Sequence, residues 1–565
     1  LSAIEVSALN PFYSSEDGVL FDKSTTTLLQ CPSGKPGEYS VPGSVTEIAD
    51  GAFYQCARLT AITLPEGISR ITGGQFAYCS SLARFTIPDS VISIEEAAFF
   101  ACSSLTNVMF GASNTSIGNQ AFFYCSALQS ILLPTSVTNI GSDAFFGCSS
   151  IPSLFVPGGV ISIGSGAFNY CSSLTNITVD VLNPVYISID GALFTKTPHT
   201  IIRCPAGKTN FSISNNVTRI ETNAFELCGQ LAEVKIGASV TEIGVAAFRH
   251  CTNLVRVSIP DNVRAVGTSA FAECTSLTNA TIGRGVTNLG TYVFSGCSKL
   301  LAIVVDDSNP ALCSLQGVLF DKSQRTLLGF PSGLSGNYVL PNGVTNLAAP
   351  AFRGCHLNAV TLPNSLQSIP NYAFLNSVAL TNVLFGDDTT EIGDMAFVGC
   401  SLSTVTLGDH LTRIGDNAFG SCTFTNITIP SSVTWIGNGA FFVSSLKGAF
   451  FQGDCPSSGT AVFGFDTTSY YLPGTAGWGT SFGGRPSVLW NPQAQTGDHS
   501  FGIRTNRFGF NITGTTDIPV VVEACTNLSS AWVPLQSASL SNGSFYFSDP
   551  LWQMYPGRFY RIRSP

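Results

Sequence analysis

Residues 76–99 read FAYCSSLARFTIPDSVISIEEAAF, and this stretch decides the fold. Leu82, Phe85 and Ile87 close on alternation, the period-two mark of a strand with one face turned inward. Pro88 stops that strand and opens a turn. Val91 and Ile94 form a second short extended run, and Phe99 then starts the next unit. The Ala98-Phe99-x-x-Cys102 piece predicts a single helical turn with Phe and Cys on one face. No single coil of this size can bury these side chains. Stacked coils bury them as ladders, Phe on Phe and Leu on Leu, about 4.8 Å apart along the strands.

The same Phe recurs at Phe53, Phe76, Phe99, Phe122, Phe145 and Phe168, always 23 residues apart. It resumes at Phe225, Phe248, Phe271 and Phe294 with the same spacing. A third block holds Phe352, Phe374, Phe397, Phe419 and Phe441 at 22 or 23 residues, where the ladder is predicted to end. A pattern sustained at one spacing is the signature of a solenoid.

These residues resemble the BspA-type leucine-rich repeats of bacterial surface proteins, with the consensus Leu-x-x-Ile-x-Leu-Pro-x-x-Val-x-x-Ile-Gly-x-x-Ala-Phe-x-x-Cys. The resemblance covers about residues 40–445. It implies a mainly β repeat solenoid, a right-handed superhelix with a parallel sheet and short helical turns. It also implies an extracellular or surface protein that binds a partner and carries no catalytic residues.

The intervals from Phe168 to Phe225 and from Phe294 to Phe352 each hold one repeat plus an insertion. The insertions match: Asn183-Pro184, Gly191 and Leu193-Phe194 in one, Asn309-Pro310, Gly317 and Leu319-Phe320 in the other, Asn10-Pro11, Gly18 and Leu20-Phe21 at the start. Each reads as a β-hairpin, such as the Leu20-Phe21 strand, a polar turn and Thr27-Leu28-Leu29. They serve either as binding arms or as braces for the coil. The expected organisation is a partial repeat with hairpin (1–45), repeats (46–180), hairpin (181–216), repeats (217–305), hairpin (306–343), repeats (344–449), a capping segment (450–500) and an all-β sandwich-like module (501–565). Leu1 aligns with the mid-repeat Leu174 and Leu300, so the sequence is expected to start partway through a repeat, with a partner, another copy or upstream residues capping the first coil. No hydrophobic tail ends the sequence, so no membrane sorting signal is expected.

Charged residues make up 11% of the chain against roughly 25% in a typical soluble protein, so Ser, Thr, Asn and Gly must supply the polar surface, as in secreted proteins. The net charge of −9 contains no basic run, which excludes nucleic acid and anionic membrane as natural partners. No apolar stretch is long enough to insert in a bilayer.

Thirteen of the 18 cysteines sit three residues after a repeat Phe, from Cys56 to Cys422. Their number is odd, ladder side chains run parallel, and Ser377 and Ser444 fill the same slot, so free buried thiols are expected. Cys31 and Cys204 align with Phe330 and are expected to fill core as well. Gly207-Lys208-Thr209 lacks the leading Gly of a phosphate loop, and Gly479-Thr480-Ser481-Phe482-Gly483 lacks the strand-to-helix setting of a hydrolase elbow. His199, His250, His356, His410 and His499 are scattered, and the turn pairs Asp306-Asp307 and Asp387-Asp388 read as solvated. No catalytic residue, metal or cofactor is expected. The Asn-x-Ser/Thr sequons, as at Asn176 and Asn279, follow from the repeat consensus.

The candidate site lies on the outward face of the repeat strands. Its usual residue is Thr: Thr63, Thr86, Thr178, Thr281, Thr361, Thr406 and Thr428. Three consecutive repeats carry Met109, Leu132 and Phe155 instead, flanked by Arg84, Asn107, Ser130 and Ser153. This predicts an exposed apolar stripe with a polar rim. The expected function is adhesion or binding of a protein or glycan outside the cell. The alternatives are a subunit that assembles with other copies into a layer or filament, and a polysaccharide binder acting through the C-terminal aromatic module.

Overall fold

The structure is a computed structural model that describes every residue except Pro198, Ser444 and Pro565, so the Ser444 slot lies outside the described residues. The chain divides into two units: Leu1–Lys322 with Pro331–Gly333, and Ser323–Phe330 with Leu334–Pro565.

In the first unit each coil contributes one strand to each of two parallel stacks. Strands Gly37–Ser40, Leu59–Thr63, Arg84–Thr86, Asn107–Met109 and Ser130–Ile131 lie side by side in chain order. The second stack runs through Arg70–Ile71, Ser93–Ile94, Ser116–Ile117, Asn139–Ile140 and Ser162–Ile163. Because the register matches like with like, Ile62 faces Phe85 and Val108 faces Ile131 on the buried side. Arg84 and Thr86, one step away on either side of Phe85, are exposed.

The Phe-Cys arm is not the predicted helical turn. Phe76 N–H donates to Ala98 O of the next coil at 2.8 Å, and Tyr78 N–H donates to Phe100 O at 2.7 Å. Between these, Ala77 and Cys79 N–H close local turns onto Gly74 O and Phe76 O. Left-handed residues, Tyr78 (φ 62°), Ala101 (φ 58°) and Tyr124 (φ 54°), re-aim every second amide outward. A helix would keep those donors within its own coil, whereas here they form a third ladder between coils.

Inside, Phe99, Phe122 and Phe145 stack at centroid spacings of 5.0 and 5.2 Å with rings within 3° of parallel. In the second unit the stack runs from Phe330 through Phe441 and continues to Phe463, 5.8 Å beyond, one coil past the predicted end. Strands Gly448–Phe451, Thr468–Tyr471 and Arg485–Leu489 stay parallel, so the segment expected to cap the array is itself coiled.

Each ladder thiol has a fixed task. Cys79, Cys102 and Cys125 Sγ donate to Phe53, Phe76 and Phe99 O, all at 3.1 Å. Ser377 Oγ donates to Phe352 O at 2.8 Å, which is why serine fits the slot. Burial pushes the Cys171 and Cys422 thiols up to about 12. A thiolate is the reactive form, so these groups are inert at neutral pH. Titration with a thiol reagent is expected to leave the ladder cysteines unmodified in the native protein and to modify them in denaturant. A peptide map showing Cys56 to Cys171 paired as native disulfides would contradict this.

Each insertion holds the predicted hairpin and one more strand. In the first, Tyr13–Glu16 pairs with Val19–Asp22, which pairs with Thr27–Gln30. The last strand then joins the solenoid in parallel, with Leu28 beside Ile48. In the second insertion, buried Asn183 donates through Nδ2 to Pro157 O and Val160 O at 2.8 and 2.9 Å. Its Oδ1 accepts from Val185 and Tyr186 N–H. Asn309 repeats all four bonds in the third. The insertions brace the coil on which they fold.

In the second unit the C-terminal residues form two antiparallel sheets, one around Arg507–Thr513 and Ser544–Asp549, the other around Pro519–Cys525. Ile512, Val520, Val522 and Phe547 fill the space between. Buried Glu523 meets Arg561 and Arg563 at 2.7 and 2.6 Å, and the two guanidiniums hold its pKa below the usual range against the opposing effect of burial. A depressed carboxylate pKa contributes stability that is present above the unfolded value and lost as pH falls through the folded value. The module is therefore expected to lose stability on acidification below about pH 4. Glu523→Gln should flatten that limb; an unchanged acid limb would contradict it.

Candidate functional site

The outward residues fall where the alternation puts them. Thr63, Thr86, Thr178 and Thr406 are exposed, while their inward neighbours Ile62, Phe85 and Ile177 are buried. Met109 lies beside Thr86 in register, its Sδ 4.0 Å from Thr86 Oγ1. Asn107 pairs with Arg84 on one side and Ser130 on the other, which places Leu132 in the same column as Met109. Phe155 follows and pairs with Thr178. Met109, Leu132 and Phe155 are 59%, 77% and 41% exposed. Arg84, Asn107, Ser130 and Ser153 are exposed alongside. The structure thus brings all five predicted site residues onto one face. Such a surface can bind by desolvation.

Three features escaped sequence reading. In the second unit the same outward column changes from Thr428 to Phe450, Tyr470 and Val488, in register. Phe450 is buried and stacks on Tyr470 at 4.8 Å. Tyr470, Val488 and Trp490 pack against the core of the C-terminal module, and Trp490 Nε1 donates to Pro519 O at 2.8 Å. Burial raises the Tyr470 hydroxyl pKa.

The second feature is an outer aromatic column on the arms of the first unit. Phe100, Phe123, Phe146 and Tyr170 stack at 4.8, 4.7 and 4.5 Å. Tyr54 and Tyr78 lengthen it at one end. Its signal was an aromatic residue one or two places after six successive ladder Phe residues. The ring faces are spent on one another, so the column stiffens the arms, at about 0.5–1.5 kcal/mol per pair. The third feature is an open groove of about 1100 Å³ in the second repeat block, lined by Glu233, Lys235, Arg256, Ser258, Asn279 and Thr281. Its charges contrast with the apolar stripe, and their signal was the outward positions of Glu233–Lys235 and Arg256.

The residues that mimic catalytic motifs have structural partners. Lys208 Nζ bonds Asp190 at 2.9 Å, as Lys35 bonds Asp17 in the first insertion. Ser481 lies in the two-residue strand Ser481–Phe482, paired with Arg485 and Pro486. Trp478 stacks flat on Tyr471, and Arg561 covers Trp532. Among the described residues no cluster of three or more His, Cys, Asp or Glu is placed to hold a metal. Among them, no helix is long and apolar enough to cross a membrane.

The chain resembles several solved structures. A leucine-rich cell surface protein from Faecalibacterium prausnitzii shares 26% identity over 54% of this chain and 97% of its own, with a TM-score of 0.42. A leucine-rich repeat protein from Eubacterium ventriosum shares 18% identity, covering 73% of this chain and 94% of its own, at 0.41. One from Bacteroides ovatus shares 22% identity, covering 79% and 94%, at 0.35. No curated protein matches the chain. The family model of the BspA type leucine rich repeat region matches residues 36–123, 100–211, 203–323, 334–397 and 367–470. With that span of matched repeats and the stacked coils they build, the chain belongs to the BspA-type leucine-rich-repeat family.

Proposed function

We propose that this protein acts outside the cell or at its surface as a binding protein, holding a protein or glycan partner on the outward face of its solenoid sheet. Met109, Leu132 and Phe155 form the centre of the contact, with Arg84 and Asn107 on its rim. The observation that carries this reading is the 77% exposure of Leu132 between two other apolar residues, with Thr86 and Thr178 on either side of the three in the column. An apolar centre with a polar margin is the anatomy of a binding patch. Family membership and the scarcity of charge support the extracellular setting. The reading requires no catalytic step and no cofactor.

The test is retention on surfaces carrying extracellular-matrix proteins or purified bacterial wall polysaccharide. Leu132→Asp is expected to fold normally and to lose at least tenfold in retention on the surface that holds the wild type, while Thr63→Asp retains it. Equal retention of all three proteins would contradict the proposal.

A further inference from the structure

We infer that the apolar stripe of one copy receives the C-terminal β module of a second copy, so that the chain associates head to tail. This rests on the reading of Met109, Leu132 and Phe155 as a docking patch and names its occupant.

The chain contains its own precedent. Where the outward column turns apolar at the end of the coils, Tyr470 and Val488 are covered by the all-β module, and Phe450 stacks on Tyr470. One apolar stretch of the outward column is thus already the seat of such a module. The first unit has the same kind of column, exposed.

The module also has apolar surface left over. Phe501, Ile503, Leu551, Met554 and Tyr555 are exposed, Met554 at 74%. They gather along one edge. Ile503 faces Phe508, which faces Asp549 in register. Leu551 N–H donates to Asp549 Oδ1, and Gln553 Nε2 to Asn506 Oδ1 in the neighbouring turn. Phe501 packs edge-on against Phe508 at 5.5 Å. This edge is distinct from the residues already engaged with Tyr470 and Trp490. The first unit thus shows an exposed apolar column and the C-terminal module an exposed apolar edge, and contact between the two in different copies buries both.

The two patches differ, so the contact is heterologous. Each added copy leaves one stripe and one module edge free, and association propagates into open filaments or rings rather than stopping at a dimer.

Sedimentation velocity over a range of protein concentrations tests this. The wild type is expected to grow past dimer. Leu132→Asp and Met554→Asp, each altered at a well-exposed side chain, are expected to weaken self-association at least tenfold and remain monomeric. Mixed in equal amounts they retain one intact stripe and one intact module edge, and should form a dimer that grows no further. Circular dichroism confirms folding, and Met109→Gln replaces Leu132→Asp if that variant is unstable. A wild type that stays monomeric, a mixture that stays monomeric, or either variant assembling alone overturns the inference. If the wild type is monomeric while Leu132→Asp still loses retention on the surfaces above, the docking patch stands and only its occupant is wrong. If neither assay responds to Leu132→Asp, both readings fail.

Discussion

Phe122→Ala is expected to destabilise the first unit by about 3–5 kcal/mol, the range for removing a fully buried Phe. The ring is wholly buried and lies 5.0 Å from Phe99 and 5.2 Å from Phe145, nearly parallel to both. Phe110 meets it edge-on at 5.8 Å. No neighbour can move into the space without leaving its own coil, because inter-coil bonds such as Phe122 N–H to Ala144 O fix the spacing. In a one-dimensional array the cost falls on two adjoining coils, so the lesion also uncouples the repeats on either side. Urea unfolding followed by circular dichroism is expected to show an earlier and broader transition. A loss below about 1 kcal/mol would mean that the ladder does not carry the core.

Asn183→Ala is expected to cost about 3 kcal/mol and to release the second insertion from its coil, since each buried polar group left unpaired costs about 1–3 kcal/mol. The substitution strands the Val160 carbonyl and the Val185 and Tyr186 amides and leaves Pro157 O only the Val160 N–H at 3.3 Å, with water relieving part of the loss. Asn309→Ala should behave alike. At half-exposed Asn10, which accepts from Phe12 and Tyr13 N–H, water replaces the partner and the cost is about 1 kcal/mol or less. Limited proteolysis reads the difference: new cleavage within residues 181–203 in Asn183→Ala supports bracing. Wild-type resistance in that variant would restore the alternative of a freely projecting arm.

The period of the Phe ladder and the alternation around Phe85 were enough to read the coils, because burial on one face leaves a direct trace in residue order. The arm was misread for a physical reason. A Phe-x-x-Cys spacing suits a helical turn and also suits two tight turns with a left-handed residue between them. The residues that adopt positive φ include Tyr78, Tyr124 and Tyr170, bulky side chains that give no sign of it. The outward column was legible at Met109, Leu132 and Phe155, where Thr set the contrast. It was not legible at Phe450, Tyr470 and Val488, where the spacing between coils shortens and the cover comes from a module distant in sequence. The Asn-Pro motif was visible, but its four hydrogen bonds come from folding back onto an earlier coil and leave no periodic mark.

The most direct test of the account is a comparison of thermal unfolding in Leu132→Asp and Ile131→Asp. The two residues are adjacent, yet Ile131 is buried opposite Val108 while Leu132 faces solvent. The account predicts that Leu132→Asp melts within about 2 °C of the wild type, as surface substitutions do. Ile131→Asp buries a charge without a partner and should unfold the coils around it. If Leu132→Asp is the variant that unfolds, the inward and outward faces are exchanged, and the binding face proposed for this protein is its core.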